Sequence, residues 1–270
     1  MAQWIRFERN GQTGFGTLAD GAIAVHSGDM FTGAKPTGET VKLADVQVST
    51  PCDPSKMICL WNNFHQLAAK NDFKRPADPL YFLKAPNAYW PANQPIKRPP
   101  SYDGRILYEG ELGVVIGKKC SNISEAEAKD YIFGYTCVND VTAVDLMRIF
   151  PTFDQWTRAK SFDTFGVFGP TIATGVDPAK LVIRTILNGK EVQNYPVADM
   201  FFPPYKLVAA VSKDMTLMPG DIIACGISLG AGAMASAHNV IDIVIDGVGD
   251  RKSTRLNSSH LGRSRMPSSA

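Results

Sequence analysis

Residues 108–117 read YEGELGVVIG, with Glu109 and Glu111 on either side of Gly110. Side chains in a strand alternate with period two. Glu109, Glu111, Gly113 and Val115 therefore share one face, and Tyr108, Leu112, Val114 and Ile116 share the other. The apolar face is predicted to be core. The acidic face places two carboxylates about 7 Å apart at the backbone. Two buried carboxylates repel, and one pKa rises unless a cation lies between them. A hard divalent ion with oxygen ligands resolves the conflict. The competing reading is a solvated strand face.

A third carboxylate favours the ion. GYTCVNDVT (134–142) is β-patterned and ends in Asn139-Asp140, where a buried strand gives way to a turn. Asp140 would complete an open site with protein ligands on one side and water on the other, an arrangement that suits Mg²⁺. Lys160 lies in QWTRAKSFDTFGVFGP among Trp156, Phe162, Phe165 and Phe168. Beside a metal it would pair with a substrate anion or stabilise a developing oxyanion. The alternative is a surface pair with Asp154 or Asp163. The Gly-rich stretch GISLGAGAMAS (226–236) lacks the Lys-Ser/Thr of a phosphate loop. His26 and His238 stand alone, and no Ser-His-Asp arrangement is read from the sequence.

The elements that must position these groups are mostly strands. Asn-Gly and Asp-Gly punctuate alternating runs in residues 3–28 and predict antiparallel hairpins. Strands are expected around YFLK, at 106–117, at 134–142, in a hairpin about Asn188-Gly189, after MTLMPGD, and at 239–249 as the last strand. Short helices are expected at HQLAAKNDF, at SEAEAKDYI with a Ser124/Glu127 capping box, at VDLMRIF up to Pro151, and at 203–212. The fold class is mainly β with few short helices (α+β). The expected organisation is a small N-terminal β subdomain over 1–50, a catalytic domain over 55–250, and a tail over 251–270.

That tail, RKSTRLNSSHLGRSRMPSSA, has no acid and reads as disordered. It resembles a translated sequencing adapter and is set aside from the fold; the alternative is a natural basic tail. Without its five basic residues, 23 Lys and Arg face 26 Asp and Glu, so the net charge changes from +2 to −3. Nothing then points to nucleic acid or an acidic membrane surface as a partner. The native C-terminus is expected to be missing. Five cysteines without CxxC spacing argue against a disulfide framework or a thiolate zinc site. The N-terminus lacks an apolar signal region, and no run is long enough to span a bilayer. A cytoplasmic protein is expected.

EGELGVVIG, GYTCVNDVTA, RAKSFDTFGVFGP, LNGKEVQNY and TLMPGDIIACG, in this order and spacing, resemble the fumarylacetoacetate hydrolase family over residues 55–249. The resemblance implies a mixed β-sandwich/β-roll preceded by a small antiparallel β subdomain, usually dimeric, with Mg²⁺ or Mn²⁺. It implies metal ligands at Glu109, Glu111 and Asp140 and an active-site lysine at Lys160. In the family the metal chelates vicinal oxygens of a 2-oxo or 1,3-diketo acid and stabilises the enolate. C–C hydrolysis, decarboxylation or tautomerisation follows.

The chain departs from the family in three places. An Asn-Tyr-x-x-His-x-x-Glu segment becomes Asn63-Phe64-His65-Gln66-Leu67-Ala68-Ala69-Lys70. Leu67 and Lys70 thus replace the water-activating His-Glu pair. His65 and Lys70 are the catalytic candidates left there, although positions i and i+2 of a helix do not share a side. An Asp-Val-Ser-Ala-Arg-Asp-x-Gln segment carries Val144 and Met147 in place of its Arg and Gln, with Arg148 as a possible compensation. The Gly-Thr-Pro loop is Gly226-Ile227-Ser228. Asn63, Arg148 and Ile227 are the candidate substrate-binding residues. Enolate chemistry needs polarisation and a proton shuttle, whereas hydrolysis also needs an activated water. The expected function is isomerisation, tautomerisation or decarboxylation of a small 2-oxo acid. C–C hydrolysis is the alternative, and a non-catalytic metal-binding relative a second.

Overall fold

The computed structural model describes residues 1–236 and 238–257. Tight turns build the N-terminal strands. Asn10-Gly11 and Asp20-Gly21 all take positive φ, as two-residue hairpin turns require. Strands Ala2–Arg9, Gln12–Ala19, Ala22–Ser27 and Lys35–Lys42 follow one another in antiparallel order. Ala2–Arg9 then pairs with Thr171–Thr174 and joins these strands to the main sheet. That sheet continues through Ile132–Asp140, Gly110–Ile116, Ile222–Ala224, Met57–Trp61 and Leu80–Lys84. The pairing of Ile222–Ala224 with Met57–Trp61 is parallel, so the sheet is mixed.

A second sheet runs in the order Lys190–Pro196, Val182–Leu187, His238–Ile245, Gly249–Asn257 and Gln94–Lys97. The largest apolar core includes Leu112, Val114 and Ile116 of the main sheet and Ile183, Tyr195 and Ile243 of the second. Gly110–Ile116 is buried on both faces. Val115 of its acidic face belongs to another apolar cluster with Val138 and Ile222. The chain is therefore mainly β with few short helices.

Two expectations change. VDLMRIF is one 3₁₀ turn, Val144–Leu146, rather than a helix. Asp145 is drawn away to Arg105, whose backbone N–H and guanidinium donate to it at 2.8 and 2.5 Å, and side-chain bonds of this kind compete with a helix. The chain also does not lose its structure at residue 250. Gly247 turns it at positive φ, and Gly249–Asn257 pairs antiparallel with His238–Ile245 and parallel with Gln94–Lys97. Backbone pairing on an open strand edge makes little demand on sequence, so residues 251–257 are extended where disorder was expected. Residues 258–270 lie outside the described residues. Among the described residues no helix is long and apolar enough to cross a membrane.

Candidate metal centre

Glu109 stands between strands Ile106–Tyr108 and Gly110–Ile116, and Asp140 ends its own strand. The register sets Gly110 opposite Asn139 and Glu111 opposite Val138. Asp140 N–H donates to Glu109 O at 3.0 Å, and Glu109 N–H donates to Asn139 Oδ1 at 3.0 Å. The Asn-Asp pair thus locks two acidic residues side by side. One oxygen each from Glu109, Glu111 and Asp140 lies within 4.8 Å of the others.

Lys160 ends the short helix Trp156–Lys160 and points into this cluster. Its ammonium donates to Glu109 Oε2 at 2.6 Å and Asp140 Oδ2 at 2.7 Å. It also lies 5.0 Å from the centroid of the Phe82 ring. The surface pair with Asp154 or Asp163 does not form; Asp163 accepts from Asn87 instead. Thr142 Oγ donates to Glu109 Oε1 at 2.9 Å, and Gly226 N–H to Glu111 Oε2 at 2.7 Å.

The electrostatics are uneven. Burial pushes the Glu109 carboxyl up, against the pull of Lys160. Burial pushes Glu111 well above the usual carboxylate range, and Asp140 and Glu109 add to it. Burial also acts against charge on Asp140, but Lys160 and Lys84 outweigh it and hold Asp140 below its ordinary value. For Lys160, burial favours the neutral amine, yet Asp140 and Glu109 prevail and keep it protonated. Three carboxylates face two ammonium groups, and the ion pairs go to Asp140 and Glu109. Glu111 is left with a backbone donor and an unfavourable charge. A hard divalent ion such as Mg²⁺ or Mn²⁺ fits this all-oxygen, net-anionic donor set.

Lys84 was not among the sequence candidates. It closes strand Leu80–Lys84, and its ammonium lies 2.6 Å from Asp140 Oδ1. Period two along this strand was the available signal. Phe82 and Lys84 share a face, and Phe82 stacks on Trp156 of the Lys160 helix at 5.1 Å. Thr142 was likewise overlooked as a partner of Glu109.

Among the described hydrogen bonds and ion pairs, none joins the remaining candidates' side chains to the three carboxylates. Asn63 is buried, and its side chain is used within the protein: Nδ2 donates to Phe202 O and Cys225 O, and Oδ1 accepts from Phe202 N–H. It anchors loops and has little capacity left for a substrate. His65 is exposed and packs on Phe201 with ring centroids 4.1 Å apart. Lys70 ends the same helix, exposed. Leu67 packs against the main core. Arg148 is exposed, and Ile227 is half-buried beside Gly226.

A mainly β protein with a largely buried acidic trio and two internal lysines is the class these features define. Two family models match the chain: Fumarylacetoacetate (FAA) hydrolase C-terminal over residues 56–254, and Rv2993c-like, N-terminal over residues 2–51. An uncharacterized protein of Archaeoglobus fulgidus is 42% identical over 219 residues, covering 81% of this chain and 86% of that one. Oxaloacetate tautomerase YisK of Bacillus subtilis is 35% identical over 220 residues, covering 77% of this chain and 72% of that one. The crystal structure of 2-hydroxyhepta-2,4-diene-1,7-dioate isomerase from Mycobacterium marinum superposes with a TM-score of 0.86 at 33% identity, covering 96% of this chain and all of that one. The chain belongs to the fumarylacetoacetate hydrolase family.

Proposed function

We propose that this protein is a divalent-metal-dependent enzyme that interconverts the keto and enol forms of a small 2-oxo acid, or decarboxylates one. The observation that carries this is the Lys160 ammonium, 2.6 and 2.7 Å from two members of the carboxylate trio, in a chain where Leu67 and Lys70 stand at the positions of a water-activating pair. Mg²⁺ or Mn²⁺ held by Glu109, Glu111 and Asp140 would supply Lewis acidity to the substrate's 2-oxo group.

Lys160 brings a fixed positive charge to the place where negative charge develops on the 2-oxo oxygen. The two carboxylates keep it protonated, so it acts by electrostatics and hydrogen bonding and holds its proton through the ground state. Leu67 faces core and offers no base to a water molecule, which favours tautomerisation or decarboxylation over C–C hydrolysis. The tautomerase and isomerase names of two similar proteins support the same choice.

The test follows the enol absorbance of oxaloacetate and other 2-oxo diacids, together with CO₂ release, with Mg²⁺, with Mn²⁺ and with EDTA. Metal-dependent acceleration of ketonisation or CO₂ release is expected. Cleavage of acylpyruvates with a higher kcat/KM than either reaction would overturn the choice in favour of hydrolysis. The reading also takes the working form to be a cytoplasmic homodimer. The five free, buried cysteines suit a reducing compartment, and light scattering checks the dimer.

A further inference from the structure

Lys84 takes no part in the chemistry just described, yet it is only 1% exposed. Its surroundings are built to hold it. The ammonium pairs with Asp140 Oδ1 at 2.6 Å and donates to Val141 O at 3.2 Å and Lys160 O at 2.5 Å. Room for the stem comes from Gly166, where an added Cβ would lie 2.9 Å from Lys84 Cδ. Lys84 therefore fastens Asp140 and the end of the Lys160 helix with one side chain. Asp140 is left with one oxygen on each lysine.

We propose that Lys84 is an internal counter-charge that keeps the carboxylate cluster assembled without a bound ion and, in doing so, weakens the cluster's hold on one. The inference rests on the reading that Glu109, Glu111 and Asp140 hold a divalent ion. Three carboxylates alone would repel one another in a medium of low dielectric. With all three carboxylates ionised, as they would be around an ion, two ammonium groups bring the cluster to a net charge of −1. A divalent ion entering then feels the repulsion of both. Among the described residues Lys160 Nζ hydrogen-bonds to carboxylates alone, and it can share their oxygens with an incoming ion. Lys84 is also tied to two backbone carbonyls, so its charge stays in place. Lys84 is thus a positioning residue: it acts through Asp140 and Lys160 and trades metal affinity for a site that is ordered in advance.

Lys84→Met removes the charge and retains bulk. Lys84→Gln removes it and keeps a donor for the two carbonyls. Both are compared with the wild-type full chain by titrating Mn²⁺ alone in a calorimeter and by thermal melts in EDTA and in saturating Mn²⁺. A purely structural lysine predicts lower stability and weaker metal binding together. The counter-charge predicts opposite signs: Kd for Mn²⁺ falls by about tenfold or more, the Tm in EDTA falls, and the Mn²⁺-induced rise in Tm exceeds that of wild type. It also predicts a lower kcat, because Lys160 loses its anchor. If wild type binds Mn²⁺ and the folded variants bind it equally or more weakly, the inference is wrong while the metal site stands. If wild type binds no Mn²⁺ or Mg²⁺, both are wrong. A variant that fails to fold even when refolded in Mn²⁺ also counts against it, because the ion should replace the missing charge.

Discussion

Glu111 differs from its two neighbours because both lysines are committed to Asp140 and Glu109. Its raised pKa has a consequence for stability. Without metal the folded protein keeps a proton that the unfolded chain releases above about pH 4.3. Stability is therefore full below that value and is lost as pH rises toward the folded pKa. Asp140 has the opposite sign. Its pKa is held low, so its contribution is present above the ordinary aspartate range and is lost as pH falls through the folded value. In EDTA, Tm should fall as pH rises above the ordinary glutamate range, and Glu111→Gln should flatten that fall. Saturating Mn²⁺ should reverse it in wild type only. An equal slope in Glu111→Gln would remove Glu111 as its source. Lys160 gives a second test at this scale. Lys160→Met should lower kcat by about 10²-fold while calorimetry still detects Mn²⁺ binding. Loss of binding in step with kcat would make Lys160 a structural support for the ligands.

Strands and their packing decide what a sequence can disclose. The acidic face of 109–115 was legible because period two is geometric, and Asp140 was legible because a charge ends an apolar run. The hairpins at Asn10-Gly11, Asp20-Gly21 and Asn188-Gly189 were legible because their turns need positive φ. Lys84 was hidden because its partners come from 57 and 76 residues away. Asn63 was legible as a polar residue in an apolar run, but its bonds to Phe202 and Cys225 come from 139 and 162 residues away. The reason for a glycine at 110 was hidden too, because it lies in the second sheet. Its missing Cβ does not clear space between the glutamates, since that Cβ would point to the second sheet and collide with Thr185 Oγ. Gly110 instead lets the two sheets close together, and its carbonyl accepts from Tyr195 OH. Gly110→Ala should therefore cost about 1–3 kcal/mol by overpacking. Adding Thr185→Ala, which removes the colliding oxygen, should recover part of the loss in denaturant melts. Strict additivity of the two changes would argue against this contact.

Residues 1–50 meet the rest of the described chain along a strand seam and through Met30 and Phe31, which join the apolar cluster of Val115, Val138 and Ile222. Ile5, Phe7, Ile23 and Val41 form a small core of their own within residues 1–50. Strand Ala2–Arg9 meets Thr171–Thr174 over four residue pairs, from Ala2–Thr174 to Ile5–Thr171. Trp4 lies against Phe133 with centroids 6.0 Å apart, and Arg6 pairs with Asp53 at 2.6 Å. The metal ligands stand away from this seam. Tyr135 pairs with Ala173 beside it, and Asp140 lies five residues further along the same strand, about 16 Å away. Deleting residues 1–50 should therefore leave the carboxylate cluster intact and uncover the 171–174 edge, Phe133 and Ile172. An unpaired edge beside apolar surface recruits other chains. The truncated protein is expected to bind Mn²⁺ with a Kd close to that of the full chain and to self-associate with rising concentration. Calorimetry and light scattering on the same samples measure both. A folded fragment that stays monodisperse would show that the N-terminal strands do not serve to cover that edge. One that has lost Mn²⁺ binding would show that they support the metal centre across the full length of the 132–140 strand.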